Sequence, residues 1–135
     1  MIFFIMILLA RICYTDIRHR IIENKCVFFI FLLNIILWLI DRQPLYVMSS
    51  LVIFSVGAIL VLINCVGAGD IKLLTVLGMV FPLGKIPDFI FLVALSGLPL
   101  ILVIYCCHRF SKGRFSKTLP YGVAITGGYL LSIIV

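Results

Sequence analysis

The chain has 135 residues, 64% hydrophobic and only 12% charged, with a net charge of +6 and a mean hydropathy of +1.34. Soluble domains carry about 25% charged residues, and a chain this short exposes much of its surface, so the composition argues for lipid as the solvent. The competing reading is an unusually apolar soluble helical bundle. The positive charge sits mainly in short loops between apolar stretches, which reads as membrane topology and gives no expectation of a nucleic-acid partner.

Six apolar stretches follow one another at about 1–13, 26–40, 46–66, 71–83, 89–107 and 119–135. They are rich in Ile, Leu, Phe and Val without strict alternation, which disfavours a β-barrel. Several approach the length of about 20 residues that crosses a bilayer core as helix. The expected fold is therefore an all-α membrane protein, one polytopic domain over 1–135, built as a bundle of about six transmembrane helices. The first stretch has no basic residue before it and no small-x-small site after it, so it is expected to be kept as a helix rather than removed as a signal. The short first and fourth stretches predict an end packed inside protein or near a wet cavity. Pro99 predicts a kink in the fifth.

Cys13, Cys26, Cys65, Cys106 and Cys107 form no CxxC pair. Structural zinc usually takes ligands paired along the chain, so neither a metal nor a disulfide framework is expected.

Arg18, Arg20 and Lys25 follow the first stretch, Lys72 the third, and Arg109, Lys112, Arg114 and Lys117 the fifth. The two intervening loops hold only Arg42 and Lys85. The positive-inside rule then turns the first set of loops to the cytoplasm. It brings Asp16, just after the first stretch, and Asp70, just before the fourth, to the same membrane face.

The only other acids are Glu23, Asp41 and Asp88. Asp41 and Asp88 read as solvated turn residues, and Glu23 as a partner for nearby basic side chains. Asp16 lies near the C-terminal end of a helix, where an anion is disfavoured. Its ordinary role would be a local pairing with Arg18 or Arg20. Asp70 follows Gly67-Ala68-Gly69 and precedes an apolar helix, so its ordinary role would be an N-cap. Gly67 and Gly69 add something beyond a cap, since they break the third stretch and let another backbone come close. Two carboxyls either side of a water cannot easily both ionise, so one can act as base and the other as acid. His19 and His108 have no motif around them that would support Ser-His or Cys-His chemistry.

At this point the sequence resembles a known family. Gly67-Ala68-Gly69-Asp70-Ile71-Lys72-Leu73 resembles the GxGDxKL motif of type IV prepilin peptidases, a branch of the GxGD intramembrane aspartic proteases. Asp16 to Asn24 resembles that family's first-aspartate motif, D-x-R-x-x-x-I-P-N, with Glu23 in place of the proline. Leu119-Pro120-Tyr121-Gly122 resembles its PYG signature. The resemblance implies that Asp16 and Asp70 are the catalytic dyad of an aspartic endopeptidase that works without a cofactor. It implies a prepilin or prepilin-like substrate, whose short basic leader is removed at the cytoplasmic face of the inner membrane. Gly67 and Gly69 would shape the loop that admits the substrate backbone, and Lys72 matches the motif's lysine. The chain lacks the paired CxxC motifs of longer members, so peptidase activity without methyltransferase activity is expected. Two rivals remain: a small transporter or ion-conducting subunit, whose acids should lie near the bilayer middle, and a non-catalytic assembly factor of a secretion system.

Overall fold

A computed structural model describes residues 2–42, 44–110 and 120–135. Lys112, Arg114 and Lys117 lie outside the described residues, as do the side chains of Asp41 and His108. The described chain is all-α. Its helices are α1 (Ile2–His19), α2 (Asn24–Asp41), α3 (Val47–Leu62), α4 (Ala68–Gly78), α5 (Ile86–Phe110) and α6 (Tyr121–Ile134), with a 3-10 turn at Leu83–Lys85 before α5.

Several boundaries differ from expectation; helix α4, for one, spans Ala68–Gly78 where the apolar stretch runs to about residue 83. Helix α1 continues past Cys13 to His19, so Asp16 is carried on the helix and not in a loop. The helix stops where Arg20 turns left-handed at φ 55°, with its N–H donating to the Asp16 carbonyl at 3.0 Å. Helix α3 ends at Leu62 rather than Val66, and neither glycine of the Gly67-Ala68-Gly69 run ends it. Asn64 takes φ 58°, a conformation Asn tolerates better than most residues. The Cys65 N–H returns to the Leu60 carbonyl and the Asn64 N–H to Val61, the paired bonds of a Schellman stop. Helix α5 runs unbroken through Pro99.

The principal contacts close a ring. Helix α1 meets α2, α2 meets α4, α4 meets α6, and α6 returns to α1, while α3 leans on α4 and α5 on α6 from outside. One stripe from each ring helix fills the centre: Ile5, Leu9 and Ile12; Cys26, Val27 and Ile30; Leu73 and Leu77; Ile125 and Tyr129. Phe81 stacks on Phe89 at 5.0 Å and meets Tyr129 edge-on, closing one end. Glycines let the outer helices sit close. A Cβ on Gly57 would strike Ile71, and one on Gly78 would strike Ile53, so α3 and α4 notch into each other reciprocally.

Helix α4 has 11 residues, about 16 Å of rise, half the roughly 30 Å of a bilayer core. Its C-terminal end is buried: the Leu77 and Gly78 carbonyls accept from Val80 and Phe81 in the following turn, and other elements meet the carbonyls of Val76 and of the C-cap Met79. Asn34 of α2, 2% exposed, donates its Nδ2 to the Val76 carbonyl at 3.0 Å. The Tyr46 N–H donates to the Met79 carbonyl at 2.9 Å. The expectation that this short segment ends inside protein is met by these two bonds.

The outer surface is strongly apolar, with Phe3 72%, Leu62 82%, Phe91 65% and Leu102 64% exposed. Contiguous apolar surface on that scale marks a membrane or protein contact. Among the described residues one helical stretch, Leu83–Cys107, is long and apolar enough to cross a bilayer. Asn24–Ile40, Val47–Leu62 and Tyr121–Ile134 are apolar but shorter.

Candidate active site

Three helix ends converge at one end of the ring. On α1 the buried stripe Ile5, Leu9, Ile12 continues at helical spacing to Asp16, which is itself only 5% exposed. On α4 the stripe Leu77, Leu73 runs back to Asp70, and on α6 Tyr129, Ile125 runs back to Gly122. A cleft of about 880 Å³ opens there, lined by Asp16, Asp70, Gly67, Gly69 and Lys72, the five residues singled out in the sequence. Arg20, Ile21, Ile22, Asn24 and Tyr121 complete it.

The loop between α1 and α2 is seated by contacts to both helices it joins and to α4. Glu23, the residue in the proline's position, takes an extended conformation as the N-cap of α2. Its carboxylate meets Arg11 of α1 at 3.5 Å and accepts from the Cys26 thiol at 3.5 Å. Ile22 lies so close to Gly69 that an added Cβ there would stand 3.3 Å from the Ile22 Cβ. Lys72 donates to Asn24 Oδ1 at 3.4 Å, which links the second motif to the end of the first.

Of the ordinary roles proposed for the two aspartates, the local pairing of Asp16 is met by the Arg20 charge and not by Arg18, and the N-cap role of Asp70 is not the one observed. Arg18 turns away from Asp16, donating to the Tyr14 hydroxyl at 2.6 Å with its guanidinium 5.9 Å from that ring. Asp16 also accepts from the Gly122 N–H at 2.7 Å, across 106 residues of chain. Asp70 is not the N-cap of α4. Gly67 is the cap residue, and Asp70 stands three positions later. It lies back against that cap, where a Cβ on Gly67 would come within 2.8 Å of its Oδ2.

Both carboxyls lie beyond the apolar stretches that end at Cys13 and begin at Ile71. Burial raises the Asp16 carboxyl above the ordinary carboxylate range, and the backbone N–H groups of Gly122 and Val123 and the Arg20 charge oppose that rise. At Asp70 burial acts first and the neighbouring Asp16 charge adds to it, so the carboxyl is pushed up to about 6 against a hydrogen bond with the Gly67 backbone. Two carboxyls that feel each other in this way can share one proton, the arrangement needed to activate water and protonate a leaving group. Among the described residues no three His, Cys, Asp or Glu side chains gather as metal ligands would.

In the sequence Gly122 stands out only as part of the Pro-Tyr-Gly signature. Nothing in that signature points to Asp16; the one sequence signal is the spacing 5, 9, 12, 16, which continues the buried stripe of α1 to the aspartate. A second, apolar recess of about 330 Å³ adjoins the cleft. It shares Asn24 and Lys72 with it and is walled by Phe28, Phe31 and Phe54.

No curated protein and no solved structure matches the chain. The model of the Type IV leader peptidase family matches residues 3–102, a span that contains both aspartates and both glycines and stops short of Pro120-Tyr121-Gly122. With about three quarters of its length matched, the chain belongs to the type IV leader peptidase family, membrane-associated hydrolases that process prepilin-type substrates.

Proposed function

We propose that the chain is an aspartic prepilin leader peptidase in which Asp16 and Asp70 form the catalytic dyad. The observation that carries this reading is the meeting of the two carboxyls, 54 positions apart in sequence, in one cleft otherwise walled by motif residues. A water held between them is activated by the ionised carboxylate for attack on the scissile carbonyl. The protonated carboxyl hydrogen-bonds that carbonyl and then serves the leaving amine. Gly67 and Gly69 keep the cleft wall low enough for an extended substrate backbone. Lys72, with Asn24, borders both the cleft and the apolar recess. The recess suits an apolar substrate segment that follows the scissile bond.

In the same reading the six helices form one membrane domain in the inner membrane, with the cleft toward the cytoplasm. The apolar outer surface and the basic loops support that placement. The substrate is a prepilin or prepilin-like protein carrying a short basic leader.

The test is co-expression with a prepilin encoded beside this chain, followed by gel mobility of the precursor. Wild type should yield the mature size, and Asp16→Asn and Asp70→Asn should each leave the precursor intact. Processing at the wild-type rate by either variant overturns the dyad. Failure of the wild type on every neighbouring prepilin would favour an ion- or proton-binding role for the two acids.

A further inference from the structure

We propose that Gly122 is the positioning residue of the dyad, seating Asp16 as the ionised base and leaving Asp70 as the acid. The inference rests on the dyad reading above and adds a division of labour to it. Asp16 lies against the first turn of α6, where the Gly122 N–H points at its Oδ2 from 2.7 Å. Gly122 follows the N-cap Pro120 by two positions, so its N–H is one of those a helix leaves without an internal partner. Such a donor favours the charged form of the carboxyl that accepts from it. Asp16 has two backbone donors on α6, Gly122 and Val123, with the Arg20 charge beside it, whereas Asp70 has one, Gly67 of its own helix start. Asp70 lies on its own helix cap at Gly67 and faces the charge of Asp16.

The glycine is required by space. A Cβ at position 122 would stand 2.8 Å from Asp16 Oδ2 and 3.2 Å from its Cγ. What it meets is the far end of a side chain and not backbone, so the carboxyl would move and α6 would stay. The titratable and charged groups that share the cleft with Asp16 are Arg20 at the end of α1, Asp70 and Lys72 of α4, and Tyr121 of α6. A methyl group on Gly122 adds or removes no charge among them.

The test is Gly122→Ala, with Gly97→Ala as control. A Cβ at Gly97 makes only an ordinary 3.6 Å contact with Ala124, in the α5–α6 interface and not against Asp16. Gly122→Ala should lower kcat about 10- to 100-fold, the range of a lost hydrogen bond to a charged group, with KM within about threefold of wild type. The acid limb of its kcat profile should move to higher pH, because Asp16 holds its proton more tightly without the donor. Gly97→Ala should match wild type in rate and profile. Loss of rate with an unmoved acid limb makes Gly122 merely structural and overturns the proposal. A readout independent of turnover is carboxyl NMR of the purified protein, labelled at aspartate. In wild type Asp16 should ionise at lower pH than Asp70, and in an Asp70→Asn background Gly122→Ala should raise the Asp16 midpoint. The reverse order, or an unmoved midpoint, overturns the assignment. If that order holds while wild type processes no prepilin, the peptidase reading fails and the positioning by Gly122 stands.

Discussion

The two ends of α4 are built on opposite terms. The N-terminal end opens into a cleft, with glycines in place of side chains and an acid three residues from the cap. The C-terminal end is closed, with its carbonyls taken by Asn34 and Tyr46 and with Met79 and Phe81 buried beyond it. A helix of 11 residues is too short to rely on its own length, since a large share of its backbone groups lie in terminal turns. Sealing one end with borrowed hydrogen bonds lets the other stay open and polar. Stability should therefore reside at the closed end and chemistry at the open one.

The largest expected effect tests that separation from the open end. Asp16→Asn or Asp70→Asn should cut prepilin cleavage at least ~10³-fold, within the range of lost acid–base catalysis, and leave the thermal midpoint in detergent near wild type. An unfolded Asn variant would mean that the open end also carries the fold. From the closed end, Leu77→Ala removes a side chain with no exposure and should destabilise by about 2–5 kcal/mol. Its cleavage rate per folded molecule should be unchanged. Asn34→Ala leaves the Val76 carbonyl without its partner and should cost about 1–3 kcal/mol, read from the same melting curves.

The next effect is electrostatic and sharpens the picture of the open end. A carboxyl raised to about 6 is protonated below that pH and loses its proton above it, so kcat/KM should fall as pH rises through about 6. In Asp16→Asn the like charge is gone and the Asp70 midpoint should drop. Burial, the larger cause, persists, so the midpoint should stay above the ordinary carboxylate range. Carboxyl NMR of that variant reads it directly, and an unmoved midpoint would show that the two acids do not sense each other. The smallest effect belongs to Glu23→Gln. The Arg11–Glu23 pair is 64% and 37% exposed at its side chains, so the change should lie within about 1 kcal/mol.

Much of this arrangement is legible along the chain because it depends on neighbours. Six apolar stretches become six helices among the described residues, in the same order, and charge alternation predicts Asp16 and Asp70 on one side. Their residence in one cleft agrees with that. The boundaries are harder, for reasons specific to each. The mixed polarity of Tyr14 to His19 hides the continuation of α1, because only one face of that turn is buried. Asn64 stops α3 through a left-handed conformation that an apolar-run reading does not weigh. Two further features depend on contacts between distant segments. Asn34 caps a carbonyl 42 residues away, and Gly122 meets Asp16 across 106. No local pattern around Asn34 or Gly122 announces a partner on another helix.

The cleft also has a charge count of its own. The first turns of α4 and α6 both face it, through Gly67 and Asp70 on one side and Tyr121 and Gly122 on the other. Each helix start carries roughly half a positive elementary charge from its aligned peptide groups. Two of them together amount to about one, the magnitude left on a pair of carboxyls that holds a single proton. In a dyad that holds one proton, as proposed above, the two helix starts would share the role of counterion with Arg20 and Lys72, which line the same cleft.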